Sequence, residues 1–389
     1  MRPRWAWVMA TALAGAVVAL AFAPAALGDD DDDDDDGAEN VPVTFLLDAG
    51  PPAPNLDGGV ASSVADASAT GPTPPVPLAP PHPVGTDPMT LDPGASTSVG
   101  GPNTGFLSGG VPLPSDIPGL RSNTNRPNRD GFYGTVEMVR SLVRAAAVVN
   151  AEMPGSELTV NDIALPQGGR IRHHGSHQSG RDVDVLFYLH DRRGRPRPAV
   201  GVPLDPQGRG YVFNNLASGG DDVRVKLDAR RTWRFVRAML EDEEAAVQRV
   251  YVVEHLRTLL LREARRQRAP AAVRRRFEES TCQPGRPHDD HLHLRLYCTP
   301  DDMRDGRCTD SAPMYPWRRA QLRTAGLDPA MQARVRRPRG PRPAATPRRR
   351  GGGGLPAAAT PTMHERARTF LALRETWSRP PRTGRSFCR

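Results

Sequence analysis

Six of the ten histidines in this 389-residue chain fall in two short windows: His173, His174 and His177, then His288, His291 and His293. Imidazole both ligates transition metals and moves protons near neutral pH, so such clustering is the strongest chemical signal in the chain. The first window runs Gly168-Gly169-Arg170-Ile171-Arg172-His173-His174-Gly175-Ser176-His177-Gln178-Ser179-Gly180-Arg181-Asp182-Val183-Asp184, setting a His and an Asp seven residues apart. Ser179-Gly180-Arg181 can turn the chain into a strand, and Asp184 opens the apolar run Val185-Leu186-Phe187. A carboxylate there needs a partner, because a bare buried charge costs several kcal/mol. In the second window, a period of two puts His291, His293 and Arg295 on one face, with Leu292, Leu294 and Leu296 behind them. Imidazoles ~7 Å apart on one strand can reach one site from two directions. A lone His-x-His is more often a surface pair; two clusters with an Asp in an apolar run point to metal. Two His and one Asp suit zinc with an open fourth position, where a bound water becomes a nucleophile at neutral pH.

The elements that must hold these groups show in the periodicity. Gly134 to Asn150 carries a helical stripe of Val136, Val139, Leu142, Val143 and Ala146. Ala229 to Glu241 turns Trp233, Val236, Met239 and Leu240 inward, and Glu254 to Arg266 does the same with Leu256, Leu259, Leu260 and Leu261. Glu157 to Leu165, Arg181 to Leu189, Val247 to Val253 and His291 to Tyr297 read as strands. Helices and strands in this order, without βαβ alternation, predict an α+β domain: a small antiparallel sheet flanked by helices, with the zinc site on the sheet.

Composition limits the size of that domain. The chain holds 41 Pro and 37 Gly, concentrated outside the central stretch, and only 38% hydrophobic residues. This excludes one 389-residue core and a polytopic membrane protein, and predicts one domain between poorly ordered flanks. The expected segments are a signal peptide over 1–28, an acidic then Pro/Ala/Gly/Ser-rich linker over 29–110, the catalytic domain over 111–317 and a basic tail over 318–389. Arg2 and Arg4, the apolar run Met9 to Phe22 and Ala23-Pro24-Ala25 fit a cleaved export signal, with an uncleaved anchor as the rival. Asp29 to Asp36 is a solvated run of eight aspartates. The tail holds 18 Arg against Asp328, Glu365 and Glu375, so it carries the chain's excess positive charge. Met363 to Trp377 is its one expected helix. Such a tail suits anionic cell-envelope glycans; nucleic acid is not expected in an exported chain.

Export to the periplasm or beyond makes the four cysteines readable as disulfides. Three pairings are open. The short spacing favours Cys298 with Cys308, leaving Cys282 with Cys388 to pin the C-terminus back. A four-cysteine zinc site lacks any C-x2-C spacing.

Gly168-Gly169-Arg170, His174-Gly175-Ser176-His177-Gln178-Ser179-Gly180-Arg181-Asp182-Val183-Asp184 and His288-Asp289-Asp290-His291-Leu292-His293-Leu294-Arg295-Leu296 resemble the penicillin-insensitive murein endopeptidases. Those belong with lysostaphin, the D-Ala-D-Ala metallopeptidases and the hedgehog amino-terminal domain. Phe132-Tyr133-Gly134 and Val250-Tyr251-Val252 add to the likeness, which covers about Val111 to Cys308. The resemblance implies His177, Asp184 and His293 as zinc ligands and His291 as general base or support of the tetrahedral intermediate. It implies His174 and His288 as lining groups that help hold the oxyanion. The implied substrate is cross-linked peptidoglycan, cut at the D-alanyl–meso-diaminopimelyl bond. A D-Ala-D-Ala carboxypeptidase or wall amidase, and a zinc-bearing wall-binding protein without turnover, are the alternatives. Arg170 or Arg181 would grip a substrate carboxylate, or else sit in a solvated turn. Asp191 to Val223, the Asp run and the Arg tail depart from the family pattern.

Overall fold

A computed structural model of the chain describes residues 77–123, 128–329, 363–379 and 388. The expected signal peptide, the aspartate run and the Arg336 to Gly354 stretch lie outside these residues. No described helix is long and apolar enough to cross a membrane.

Alternating side chains build the central sheet. Its strand order is Thr281–Cys282, Val247–Tyr251, His291–Leu296, Asp182–Leu186, Leu158–Val160 and Leu120–Ser122. The middle pairings are antiparallel, as expected for an α+β domain. The pairs at the two edges are parallel, a departure from the all-antiparallel sheet expected from the sequence. Helices Glu254–Arg266 and Ala271–Ser280 carry the chain from Val247–Tyr251 back to Thr281–Cys282, and a helical crossover returns a strand in the same direction.

Leu292, Leu294, Val183 and Val185 point from the two central strands into the main core. Helix Val136–Glu152 brings its predicted stripe into the same core, every member buried. Helix Ala229–Glu241 starts where the Asp228 side chain accepts the Arg231 backbone N–H at 3.0 Å, and it buries Trp233 edge-on against Phe277. The opposite face of the sheet, carrying His293, Arg295, Asp182 and Asp184, holds the polar groups. A second sheet joins Arg209–Val212, Val223–Leu227, Leu189–His190 and Pro196–Arg197. Pro196–Arg197 and Arg209–Val212 lie within the Asp191 to Val223 stretch that departs from the family pattern, and Leu189–His190 and Val223–Leu227 flank it.

Two segments expected in the flanks are folded. Residues 77–110, assigned to the linker, hold strands Thr97–Val99 and Phe106–Ser108, which pair with each other. Phe106 bridges Gly168 and Gly100 bridges Cys308, so this segment lines the domain. Its Pro and Gly encode tight turns, such as the short helix Pro88–Thr90 that begins under the Asp87 cap. Past residue 317, helix Pro316–Thr324 buries Leu322 and Arg318, and helix Glu365–Trp377 matches the expected Met363 to Trp377. The disulfides are Cys298–Cys308 and Cys282–Cys388, the favoured pairing.

Glu137, in the first turn of Val136–Glu152, is buried within reach of the Asp302 charge. Burial first, and then Asp302, pushes it up to about 7; burial pushes Asp302 up to about 6. A raised carboxyl pKa stabilises the fold below the ordinary glutamate range, and that contribution is lost as pH rises through 7. Urea unfolding from pH 5 to 8 should therefore show the wild type losing up to about 3 kcal/mol more than Glu137→Gln. Equal pH slopes for the two proteins would contradict this.

Candidate metal centre

The pairing of the two central strands sets His293 directly opposite Asp184, and Arg295 opposite Asp182. Asp184 is 2% exposed and His293 7%, so the two groups meet away from water. His293 Nδ1 lies 3.1 Å from Asp184 Oδ1, and its Nε2 lies 3.4 Å from Asp182 Oδ1.

His177 arrives from the loop before the Asp182–Leu186 strand in the left-handed conformation, φ +67°. Such backbone strain in a buried non-glycine residue persists only where the surroundings hold it. Its N–H donates to Asp182 Oδ2 at 3.1 Å, and its Nδ1 donates to the Ile163 carbonyl at 2.7 Å. A carbonyl only accepts, so Nδ1 carries the proton and Nε2 is a bare lone pair. That Nε2 faces Asp184 Oδ1 at 3.3 Å.

These atoms fit a metal. His177 Nε2 and Asp184 Oδ1 are buried and have no hydrogen-bond partner among the described residues. Tetrahedral bonds of about 2.0–2.1 Å would set neighbouring donor atoms about 3.4 Å apart, close to the observed 3.1 and 3.3 Å. His174, His177 and Asp184 also present donor atoms within 4.8 Å of one another. His174, however, faces the other carboxylate oxygen, Nδ1 to Asp184 Oδ2 at 3.5 Å, and its Nε2 lies 3.2 Å from Asp162 Oδ2.

His291 turns Nε2 toward the same point, 3.6 Å from Asp184 Oδ1, while its Nδ1 lies 2.6 Å from Asp290 Oδ1. His288 stacks obliquely near it with ring centroids 4.8 Å apart, and its Nδ1 donates to the Arg286 carbonyl at 3.1 Å. His173 is exposed. Burial would raise Asp184, but His177, His291 and His293 around it hold its carboxyl well below the usual carboxylate range. Burial similarly opposes ionisation of Asp182, and Arg295 overcomes it through bonds of 2.6 and 3.1 Å. Asp290 falls to about 2 because His291 outweighs the cost of its burial. Burial, then the charges of His291 and His293, drives His288 down to about 3, so it is neutral at pH 7.

His174, Asp184, His288, His291 and His293 line an open cleft of about 430 Å³ that also includes Asn103, Tyr251 and Arg286. Beside it, Arg170 and Arg172 border a more open cavity that shares His173, His174, Gly175 and Arg286 with the cleft. Arg181 is not there. Its guanidinium is wholly buried and donates to Ser98 Oγ and the Leu296 carbonyl, bracing the fold, so neither a substrate grip nor a solvated turn describes it. Asp162, Asp182 and Asp290 join the site beyond the residues expected from the sequence. Asp290 directly precedes His291, and the strand period puts Asp182 beside Asp184, so both carried a local signal. Asp162 did not, because only the fold brings it to His174.

Residues 98–319 match the family model described as penicillin-insensitive murein endopeptidase. The chain belongs to this family. Among curated relatives bearing that description, one from Klebsiella pneumoniae is 28% identical over 57% of this chain and 73% of its own length. Another from Yersinia enterocolitica is 27% identical over 54% and 69%, and one from Haemophilus influenzae is 27% identical over 58% and 71%. The matched region contains both histidine windows and the strands that present them.

Removing one member of a buried ion pair strands the other charge. In chelator, where metal linkage is absent, Asp182→Asn should lower the unfolding free energy by about 3 kcal/mol at pH 7. The native Asp182 carboxyl lies below its ordinary range, so its contribution is present above about pH 4 and fades as pH falls below that. The variant should show a flatter acid limb in denaturant titrations; an unchanged limb would contradict the pairing.

Proposed function

We propose that the protein is an exported zinc metallo-endopeptidase that hydrolyses peptide cross-links of peptidoglycan, with the D-alanyl–meso-diaminopimelyl bond as its target. Membership of the murein endopeptidase family supports the reaction class and the substrate. Two disulfides support an oxidising compartment outside the cytoplasm. The observation that carries the metal reading is the convergence of His177 Nε2 and His293 Nδ1 on one oxygen of Asp184.

His177, Asp184 and His293 would hold the ion. His293 is preferred to His174 as third ligand because it shares Asp184 Oδ1 with His177, whereas His174 addresses Oδ2 and is anchored by Asp162. Bound zinc would supply a Lewis acid and a water of lowered pKa. His291, its ring fixed by Asp290, turns Nε2 into the site, where it takes a proton from the attacking water and returns it to the leaving amine. The carboxylate of Asp290 stabilises the imidazolium between those two transfers. His288 commits its Nδ1–H to the Arg286 carbonyl, which leaves Nε2 as an acceptor lining the cleft, while His174, its Nε2 3.2 Å from Asp162 Oδ2, lines the same cleft. Arg170, Arg172 and Arg286 form a cationic shelf at the mouth, suited to the free carboxylates of stem peptides.

The test uses purified protein and defined cross-linked muropeptides, with products weighed by mass spectrometry. Wild type should release monomers cut at the cross-link, and a chelator should stop turnover until zinc is restored. His291→Ala should lower kcat by about a hundredfold or more while retaining zinc, whereas His293→Ala should lose both. Turnover unaffected by chelator would overturn the metal mechanism. Loss of a terminal D-Ala alone would assign a carboxypeptidase instead, and no product at all would leave a wall-binding protein. Zinc retained in His293→Ala but lost in His174→Ala would transfer the third ligand to His174.

A further inference from the structure

The chain between Cys282 and His291 carries His288 and Asp290, and it is tied down by residues beyond the region 98–319 that matches the family model. Cys282 is disulfide-bonded to Cys388. Gln283 donates its side-chain Nε2 to the Ser378 carbonyl at 2.9 Å and accepts the Cys388 N–H on its own carbonyl at 3.1 Å. At the far end of the segment, Arg374 forks onto Asp289, Nε to Oδ2 at 3.0 Å and Nη2 to Oδ1 at 2.7 Å. The helix that supplies Arg374, Glu365–Trp377, is itself seated. Ala367 and Phe370 pack with Phe213, and the His364 N–H donates to the Leu216 carbonyl at 2.8 Å.

The clamp falls at a sensitive place. Asp289 is fully buried and precedes Asp290, the group that orients His291. Two adjacent buried carboxylates repel, and a planar guanidinium bonded at two points fixes both the charge and the direction of the first. Fixing Asp289 fixes the backbone from which the next side chain leaves toward His291. We propose that the helix Glu365–Trp377 is a strap closed by the Cys282–Cys388 bridge, and that Arg374 is a positioning residue for the Asp290–His291 pair. The proposal rests on the reading of His291 as proton carrier and adds a device from outside the family region. The strap also makes the alignment of the site depend on oxidation of one disulfide.

The experiment compares full-length, zinc-loaded wild type with Arg374→Gln, Arg374→Lys and the double variant Cys282→Ser/Cys388→Ser. Turnover of a cross-linked muropeptide dimer, bound zinc, unfolding temperature and deuterium uptake of peptides covering 283–290 are measured. Arg374→Gln should lower kcat about ten- to a hundredfold with KM and zinc content little changed. Arg374→Lys, which keeps the charge and loses the fork, should recover part of kcat. Uptake over 283–290 should rise in Arg374→Gln and in the double Ser variant, while the Val247–Tyr251 strand stays protected. Unchanged kcat and uptake in Arg374→Gln would overturn the proposal. So would a loss of activity that merely follows a lower unfolding temperature, with no faster exchange over 283–290. Should wild type cleave no muropeptide, the functional reading fails, and the exchange data still decide whether the strap holds this segment.

Discussion

One strand pairing governs the site. Because His293 sits directly across from Asp184 in the antiparallel ladder, and Arg295 from Asp182, the spacing of the polar groups is set by backbone hydrogen bonds rather than by flexible side chains. A slip of one residue would turn His293 into the apolar core and bring Leu292 or Leu294 out among the carboxylates. The leucines on the reverse face, buried with Val183 and Val185, make such a slip costly. The same packing that stabilises the domain therefore aligns the donor atoms.

Around that pairing the protein places an unusual density of charge. Asp182, Asp184 and Asp290 are all buried, and each faces a histidine or an arginine. Each pairing does separate work. Arg295 neutralises Asp182, and Asp182 in turn meets both the His177 backbone and the His293 ring. Asp290 aligns His291. Asp184 alone gathers several imidazoles with one oxygen left without a hydrogen-bonding proton, the signature expected where a cation completes the balance. The left-handed backbone at His177 belongs to the same economy, with local strain held by two hydrogen bonds that aim Nε2.

Much of this was legible in the residues, for physical reasons. Period-two alternation in His291 to Leu296 and the apolar run after Asp184 announced both central strands and their polar face. The helical stripes of Val136–Glu152 and Ala229–Glu241 were equally plain, because amphipathic periodicity reports directly on burial. The folded part of the Pro/Gly-rich stretch before residue 111 was not, since turn-forming residues look alike in a tether and in a loop-rich edge of a domain. Arg181 misled for a related reason: an arginine beside a histidine motif suggests a ligand contact, and only the fold shows it buried against Leu296 and Asp310. Asp162, Asp289 and Arg374 acquire meaning through contacts between distant segments, which no local pattern encodes.

Diffraction from zinc-loaded crystals, recorded on both sides of the zinc absorption edge, tests the centre most directly. Expected is one anomalous peak bonded to His177 Nε2, Asp184 and His293 Nδ1 at about 2.0–2.2 Å. A peak held by His174 in place of His293, or none between the two central strands, would contradict the arrangement.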